Sequence, residues 1–336
     1  MRTKTSRPLA GLSLDLDNQW TYMKIHGDSG WEEFPSYLDR FIPEVLEILE
    51  RLKLKITFFI VGQDAVLEKN RRALAEIPKN GHDVGNHSFH HEPWFQIRSP
   101  EKIREEILEA EQAIQGATGR KPQGFRSPGF SWSADLIQVL AESSYIYDAS
   151  TLPSSIGPLG RLYYFRKSSL TTREKEIRKD LFGGIRDSFR PVRPYMWRLP
   201  SRKRLLEIPV TTVPLGKIPF HLSYLIYIGR VSFLAMRNYL KTAVRLCRLF
   251  HTGLSFLLHP LDFLGGDEFP ELAFFPGMDL NKKQKLKFFQ KVIEIISADF
   301  ELVDMSSYAK AVLSDGRISL CTRLPRSLRS KTPDEV

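Results

Sequence analysis

Short apolar runs rich in β-branched and aromatic residues alternate with amphipathic helical segments through most of this chain, and no other feature constrains the fold as much. Lys55–Val61 (KITFFIV) and Leu254–His259 (LSFLLH) read as strands buried on both faces. Between such runs, Tyr37–Leu52 gathers Phe41, Val45, Leu46, Ile48, Leu49 and Leu52 on one helical stripe. Ser99 and Pro100 open another helix as N-cap and first helical residue, and Gly119 lies just past its end. Strand and helix succeed each other in units of about 25–40 residues, which predicts parallel strands joined by crossover helices.

Further strands are expected at Leu9–Leu16, Gly81–Asn86, Gln123–Phe125, Tyr145–Asp148, Leu206–Val210 and Glu301–Val303. Further helices are expected at Asp64–Ile77, Ala134–Ala141, Phe220–Phe250, Leu280–Ala298 and Ser306–Leu313. Residues 9–315 then form one α/β domain, preceded by an extension (1–8) and followed by a flexible basic tail (316–336). Residues 151–204, basic and Pro-containing, read as an insertion in that domain. A chain of 336 residues with 42% hydrophobic content and 22 Phe has ample material for one large core.

Composition also excludes some functions. Two cysteines, Cys247 and Cys321, make neither a disulfide framework nor a cysteine-based zinc site. The N-terminus lacks an apolar run of signal-peptide length, and no charge-free apolar stretch reaches about 20 residues. A cytoplasmic protein without a signal peptide or transmembrane helix is the expectation. The net charge of +10 is concentrated in Arg161–Arg204 and in the tail. Such runs are most often solvated faces; the alternatives are contact with an anionic membrane surface or with a phosphate-bearing substrate. No nucleic-acid-binding motif accompanies it, and no nucleic acid is expected.

The candidate chemistry begins at GHDVGNHSFHH, residues 81–91, which holds four of the eight histidines. His87 and His91 are four apart, so a helical turn or tight loop can aim both imidazoles at one point. A divalent metal is one account of this density; a polar loop bonded within itself is the other. Asp15 and Asp17, one residue apart, project to one face at strand spacing, where two carboxylates repel unless a cation or a proton relieves them. Asp17, His87, Arg126, Asp148 and His259 all fall at the C-terminal ends of expected strands. In a barrel of parallel strands those ends converge on one mouth.

These motifs resemble the polysaccharide deacetylase family with the NodB-type homology domain, whose members are metal-dependent hydrolases on a deformed (β/α) barrel. GNHSFHH fits the family's H-[ST]-x-x-H motif, GFRSPGFS its R-x-P motif and LLHP its L-x-H motif. The resemblance covers about residues 9–315. YIYDAST and LEIPVTTVP also look like a subgroup tied to exopolysaccharide and lipid-linked-sugar metabolism. It implies Asp17, His87 and His91 as ligands of a divalent metal, zinc foremost with cobalt or nickel as alternatives. It implies Asp15 as catalytic base, Arg126 as the group orienting it, and His259 as the acid for the leaving amine. Pro128 would shape the turn and the backbone near Phe130 would help hold the oxyanion. The family opens with two adjacent aspartates, whereas Leu16 separates them here. Its D-x-x-D-W motif is not recognisable, leaving Asp148 and Asp262 as candidate supporting acids. Trp20 and Trp132 flank site segments as candidate sugar platforms, while His82 and His90 read as loop support and His221 and His251 as ordinary.

The expected reaction removes an N-acyl group from an amino sugar in a polysaccharide, an oligosaccharide or a lipid-linked sugar. Hydrolysis of another C–N bond, such as a sugar formamide or small cyclic amide, is the alternative within the same chemistry. A non-catalytic glycan- or lipid-binding relative is the alternative outside it. The basic insertion and the aromatic, apolar Phe220–Phe250 segment suit a lipid-phosphate-linked substrate and peripheral contact with an anionic membrane.

Overall fold

A computed structural model of the protein describes residues 7–156, 188–199, 203–316, 318 and 321–323. Most of the expected basic insertion and most of the tail lie outside these residues. The chain enters through β1 (Leu9–Asp15), α1 (Gln19–His26) and α2 (Leu38–Arg51). It continues through β2 (Thr57–Ile60), α3 (Gly62–Val66), α4 (Glu68–Lys79), β3 (Asp83–Asn86) and α5 (Pro100–Thr118). Next come β4 (Gly124–Phe125), α6 (Ala134–Glu142), β5 (Tyr147–Asp148), β6 (Tyr195–Arg198) and β7 (Arg204–Glu207). Two helices, α7 (Leu222–Val231) and α8 (Phe233–Leu249), then lead to β8 (Leu254–Leu258). The chain closes with α9 (Lys282–Asp299), β9 (Glu301–Asp304), α10 (Met305–Ser314) and β10 (Cys321–Arg323).

Among the described residues the strands form one sheet in the order β10-β6-β7-β5-β4-β3-β2-β1-β8, with β9 also paired to β1. All pairings are parallel except β6–β7. The sheet curls into the expected deformed (β/α) barrel, with helices on its outer face. Its register aligns the strand ends: Asp15 lies opposite Phe59, Asn86 opposite Phe125, Asp148 opposite Phe125 and Glu207, and Leu14 opposite Leu258. One end of the barrel therefore collects the residues that follow each strand. No helix among the described residues is long and apolar enough to cross a membrane.

Local chemistry explains the boundaries. Ser99 caps α5, its hydroxyl accepting from the Lys102 N–H, and Gly119 closes it at a φ of 72°. The single helix expected over Asp64–Ile77 breaks at Leu67, whose extended backbone separates α3 from α4. Phe220–Phe250 divides at Ser232, where the hydroxyl accepts from the Ala235 N–H and starts α8. Helix α1 carries no helical stripe: its buried residues Trp20, Thr21 and Tyr22 are consecutive, so periodicity does not disclose it. Within the segment expected to be a flexible tail, Cys321–Arg323 pair with β6.

His82 precedes β3 and is almost fully buried, its Nδ1 accepting from the Ile56 N–H at 3.3 Å. Burial, then the charge of Lys55, pushes its pKa down to about 4. The unfolded chain binds this proton more readily, so the stability it contributes is complete above the ordinary histidine pKa of about 6.5. It is lost as pH falls from there toward 4. His82→Gln is expected to flatten that part of the stability profile, as read by denaturant unfolding across the interval.

Candidate metal centre and active site

The loop after β3 is shaped to return a histidine over its own start. His87 continues the ladder, its N–H donating to the Ile60 carbonyl at 2.9 Å. Ser88 and His91 then take left-handed φ of 62° and 52°, a costly conformation for residues with a Cβ. Buried partners hold it in place. The Asn86 side chain accepts from the Ser88 N–H, and Glu106 accepts from the N–H groups of Phe89 and His90. A tight loop, not a helical turn, thus aims His87 and His91 at one point.

That point is Asp17. Its Oδ1 lies 2.9 Å from His91 Nε2 and 3.3 Å from His87 Nε2, all three residues being buried. Burial alone would raise the Asp17 pKa, but His91 and His87 outweigh it and hold the carboxyl well below its usual range. His87 Nδ1 lies 2.7 Å from the Arg126 carbonyl, which only accepts. That bond takes the proton of a neutral ring and turns the Nε2 lone pair toward Asp17. Two lone pairs at 3.3 Å repel unless a proton or a cation lies between them; burial opposes a charged ring, yet the neighbouring Asp15 and Asp17 carboxylates raise the His87 pKa accordingly. One donor atom from each of Asp17, His87 and His91 lies within 4.8 Å of the others, a set suited to a divalent metal with open positions.

Asp15 has a different partner. Arg126 Nη1 donates to its Oδ1 at 3.0 Å and to Ser13 Oγ at 3.2 Å, while Nε donates to the Ala149 carbonyl at 3.0 Å. The guanidinium is fully buried and stacks 4.7 Å over the Phe59 ring. The two aspartates are therefore divided: Asp15 faces a fixed cation, Asp17 faces imidazoles.

His259 follows β8, next to β1. Its Nδ1 lies 3.1 Å from Ser223 Oγ and 4.0 Å from Asp262 Oδ2, and its N–H donates to that Oδ2 at 2.8 Å. Lys285 is buried beneath this turn, donating to the carbonyls of Leu261 and Leu264 at 2.6 and 2.7 Å. Asp262 thus stands where a supporting acid is expected. Asp148 does not stand against the metal centre. It is fully buried, accepts from Ser150 Oγ at 2.5 Å, and burial, then Glu207 across the register, raises its pKa well above normal. Glu207 accepts from Thr151 and from Trp197 Nε1 at 2.8 Å. Two carboxyls buried side by side disfavour a second negative charge, which is why both are pushed up.

Two other expectations, for Trp20 and for the backbone at Phe130, are corrected. Trp20 is buried, packed against Trp31 and Phe34, and its N–H donates to Asp64 at 3.0 Å, so it offers no platform to a sugar. Trp132 is half-buried and stacks on Trp197, with Arg190 at 3.6 Å over its ring. Pro128 begins a tight turn with Gly129 at φ 63°, as expected. The Phe130 N–H donates within that turn to the Ser127 carbonyl at 3.3 Å, so it is not a free oxyanion donor. His90 pairs with Glu106 at 2.8 Å, a supporting role.

Two residues beside the site, Asp64 and Tyr22, escape the sequence reading, and a third, His221, is read there as ordinary. Asp64 accepts from Asn18, Trp20 and Asn70 behind the Asp17 loop, and burial pushes its pKa up to about 7. His221 lies with its ring 6.4 Å from that of His259, and its Nδ1 is buried without a partner. Burial, then His259 and Arg126, pushes its pKa down to about 3, so it is neutral. Tyr22 is buried with its hydroxyl unpartnered, within the field of Asp17, Asp262 and Asp15. An unmet buried hydroxyl costs about 1–3 kcal/mol. Tyr22→Phe is expected to raise thermal stability, because it removes an unmet buried hydroxyl; a fall in kcat beside that gain would assign the hydroxyl to a substrate group. Equal activity in the variant would make it a packing residue only.

The family model for polysaccharide deacetylase matches residues 27–147. An uncharacterised Bacillus subtilis protein, YlxY, is 29% identical over 104 residues, 31% of this chain and 32% of its own length. A peptidoglycan-N-acetylglucosamine deacetylase of Bacillus cereus is 26% identical over 142 residues, 42% of this chain and 62% of its own. The chain thus spans less than two thirds of either relative. A Mycobacterium smegmatis crystal structure assigned to the polysaccharide deacetylases superposes with a TM-score of 0.59 at 17% identity, covering 97% of this chain and 96% of that one. At that identity the likeness is one of fold.

Proposed function

We propose that the chain, whose residues 27–147 match the polysaccharide deacetylase model, is a metal-dependent hydrolase removing an N-acyl group, acetyl foremost, from an amino sugar. The observation that carries this reading is the division of labour between two neighbouring aspartates, one against two imidazoles and one against a buried guanidinium. A binding protein needs no such arrangement; amide hydrolysis does. Asp17, His87 and His91 would hold the divalent cation, and zinc suits two imidazoles and a carboxylate, with cobalt or nickel able to replace it. When bound, the cation supplies Lewis acidity to the amide carbonyl and to the attacking water.

The chain's own residues supply the proton transfers. Asp15, oriented by Arg126, accepts the proton of the water whose oxygen adds to the carbonyl carbon. His259, steadied by Ser223 and Asp262, gives a proton to the nitrogen as the C–N bond breaks. A free amine on the sugar and a small carboxylic acid result. Relatives named for peptidoglycan support an N-acetylglucosamine-type sugar, and a lipid-phosphate-linked sugar belongs to the same chemical class.

The test is amine release from N-acetylated sugars offered free, as oligomers and on polyprenyl phosphate, beside metal analysis of protein purified without chelator. Wild type is expected to carry about one zinc, cobalt or nickel per chain, and His87→Ala much less. Wild type without stoichiometric metal, or without turnover on any of these sugars, rejects the reading.

A further inference from the structure

The first turn of α7 is built against the leaving-group side of the site. Ser223, the second residue of the helix, lies with Oγ 3.1 Å from His259 Nδ1. His221, which caps the helix, lies with its ring 6.4 Å from that of His259 and inclined at 70° to it. Two polar side chains therefore meet His259 here, and the proposed reaction uses only Ser223.

His221 breaks two local rules without compensation. The N-cap position favours Ser, Thr, Asp or Asn, whose side chains accept from the free N–H groups of the first turn. The His221 side chain makes no such bond. Its Nδ1 is buried without a partner, and Nε2 has none among the described residues. Of the two nitrogens only Nδ1 is closed off from solvent, so Nε2 is the one that opens on the mouth. Local rules left broken in this way mark functional positions.

The tautomer follows from the surroundings. Burial, then His259 and Arg126, keep the ring neutral, so it carries one proton on two nitrogens. A buried N–H without an acceptor is rarer than a buried acceptor without a donor, which leaves the lone pair on Nδ1 and the proton on Nε2. His221 thus presents a single uncharged donor beside His259. Hydrogen bonds of about 3 Å from two rings only 6.4 Å apart end on neighbouring polar atoms of one ligand. His259 gives its proton to the nitrogen that leaves the acyl group. On an N-acylated pyranose the polar atom beside that nitrogen is the hydroxyl on the next ring carbon.

We propose that His221 is a substrate-contacting, specificity-determining residue, whose Nε2–H donates to the ring hydroxyl vicinal to the N-acyl group and so holds the nitrogen toward His259. This rests on the proposed deacylation and narrows its substrate to amino sugars that carry a hydroxyl there.

Removing each partner in turn provides the test. The probes are an N-acetylglucosamine oligomer and its 3-deoxy counterpart, followed by amine release and by calorimetric binding. Wild type is expected to prefer the parent oligomer by about tenfold in kcat/KM, the range of one neutral hydrogen bond. His221→Phe keeps a ring against Tyr224 and is expected to fold, to hold metal as wild type does, and to treat the two oligomers alike. His221→Gln, whose amide still donates, is expected to retain a preference. A purely structural role would lower turnover of both oligomers equally and leave the preference intact in His221→Phe. That result, or a wild type indifferent to the hydroxyl, overturns the proposal. A shifted pH profile in His221→Phe with the preference kept overturns it too, assigning His221 to the basicity of His259. Deacylation fails separately. If neither oligomer releases amine, yet wild type binds the parent about tenfold more tightly and His221→Phe does not, the reaction falls and the contact stands. With neither turnover nor binding, both fall.

Discussion

Asp15→Asn is expected to leave metal content at the wild-type level while lowering kcat by about a thousandfold, the range that a positioned base supplies. The asparagine is isosteric and its oxygen can still accept from Arg126 Nη1, so geometry survives while basicity is lost. Asp17→Asn is expected to do the opposite first: metal affinity falls, by about tenfold or more, because a neutral amide replaces the carboxylate that both imidazoles face. Metal analysis and steady-state kinetics on the two proteins separate these outcomes. If Asp15→Asn lost the metal and Asp17→Asn kept it, the roles of the two aspartates would be exchanged. The contrast is informative because the residues are two apart, and a generic structural role would give both substitutions one phenotype.

Much of this site is legible in the sequence because its parts are local. His87 and His91 share one loop, and Asp15 and Asp17 share one strand end. A strand with period two and a loop of four residues confine where such side chains can point. Arg126 and His259 are legible for another reason: parallel strands deliver their C-terminal residues to one end whatever lies between. The partnerships made at that end are not legible. Nothing in YIYDAST shows that Asp148 will meet Glu207 rather than the metal, since that depends on β5 and β7 being sheet neighbours across the excursion between them. Trp20 misleads in the same way. A tryptophan beside an acidic pair suits a sugar platform, but the burial of Asp64 gives its N–H a partner below the surface. Tyr22 and His221 stand in no motif at all. Tyr22 lies on α1 and His221 at the start of α7, and α1 lacks the periodicity that would disclose it.

Arg126→Met is expected to be the most destabilising single change at the site, by about 3–5 kcal/mol, the usual cost of breaking a buried ion pair by removing one partner. The guanidinium is fully buried, and the replacement keeps most of its volume over Phe59, so lost packing is the smaller part of the cost. The larger part is the Asp15 carboxylate, left in a dry site without its counter-charge. A double-mutant cycle isolates that part. Once Asp15 is Asn, no buried anion remains, so Arg126→Met should cost markedly less in the Asp15→Asn background than in wild type. Denaturant unfolding of the four proteins measures the difference. Equal costs in the two backgrounds would mean that Arg126 acts through the Ala149 carbonyl and Ser13, stabilising the strand ends without holding the base. Coupling of a few kcal/mol would place the stability of the barrel mouth and the ionisation of its catalytic base in the same pair of side chains.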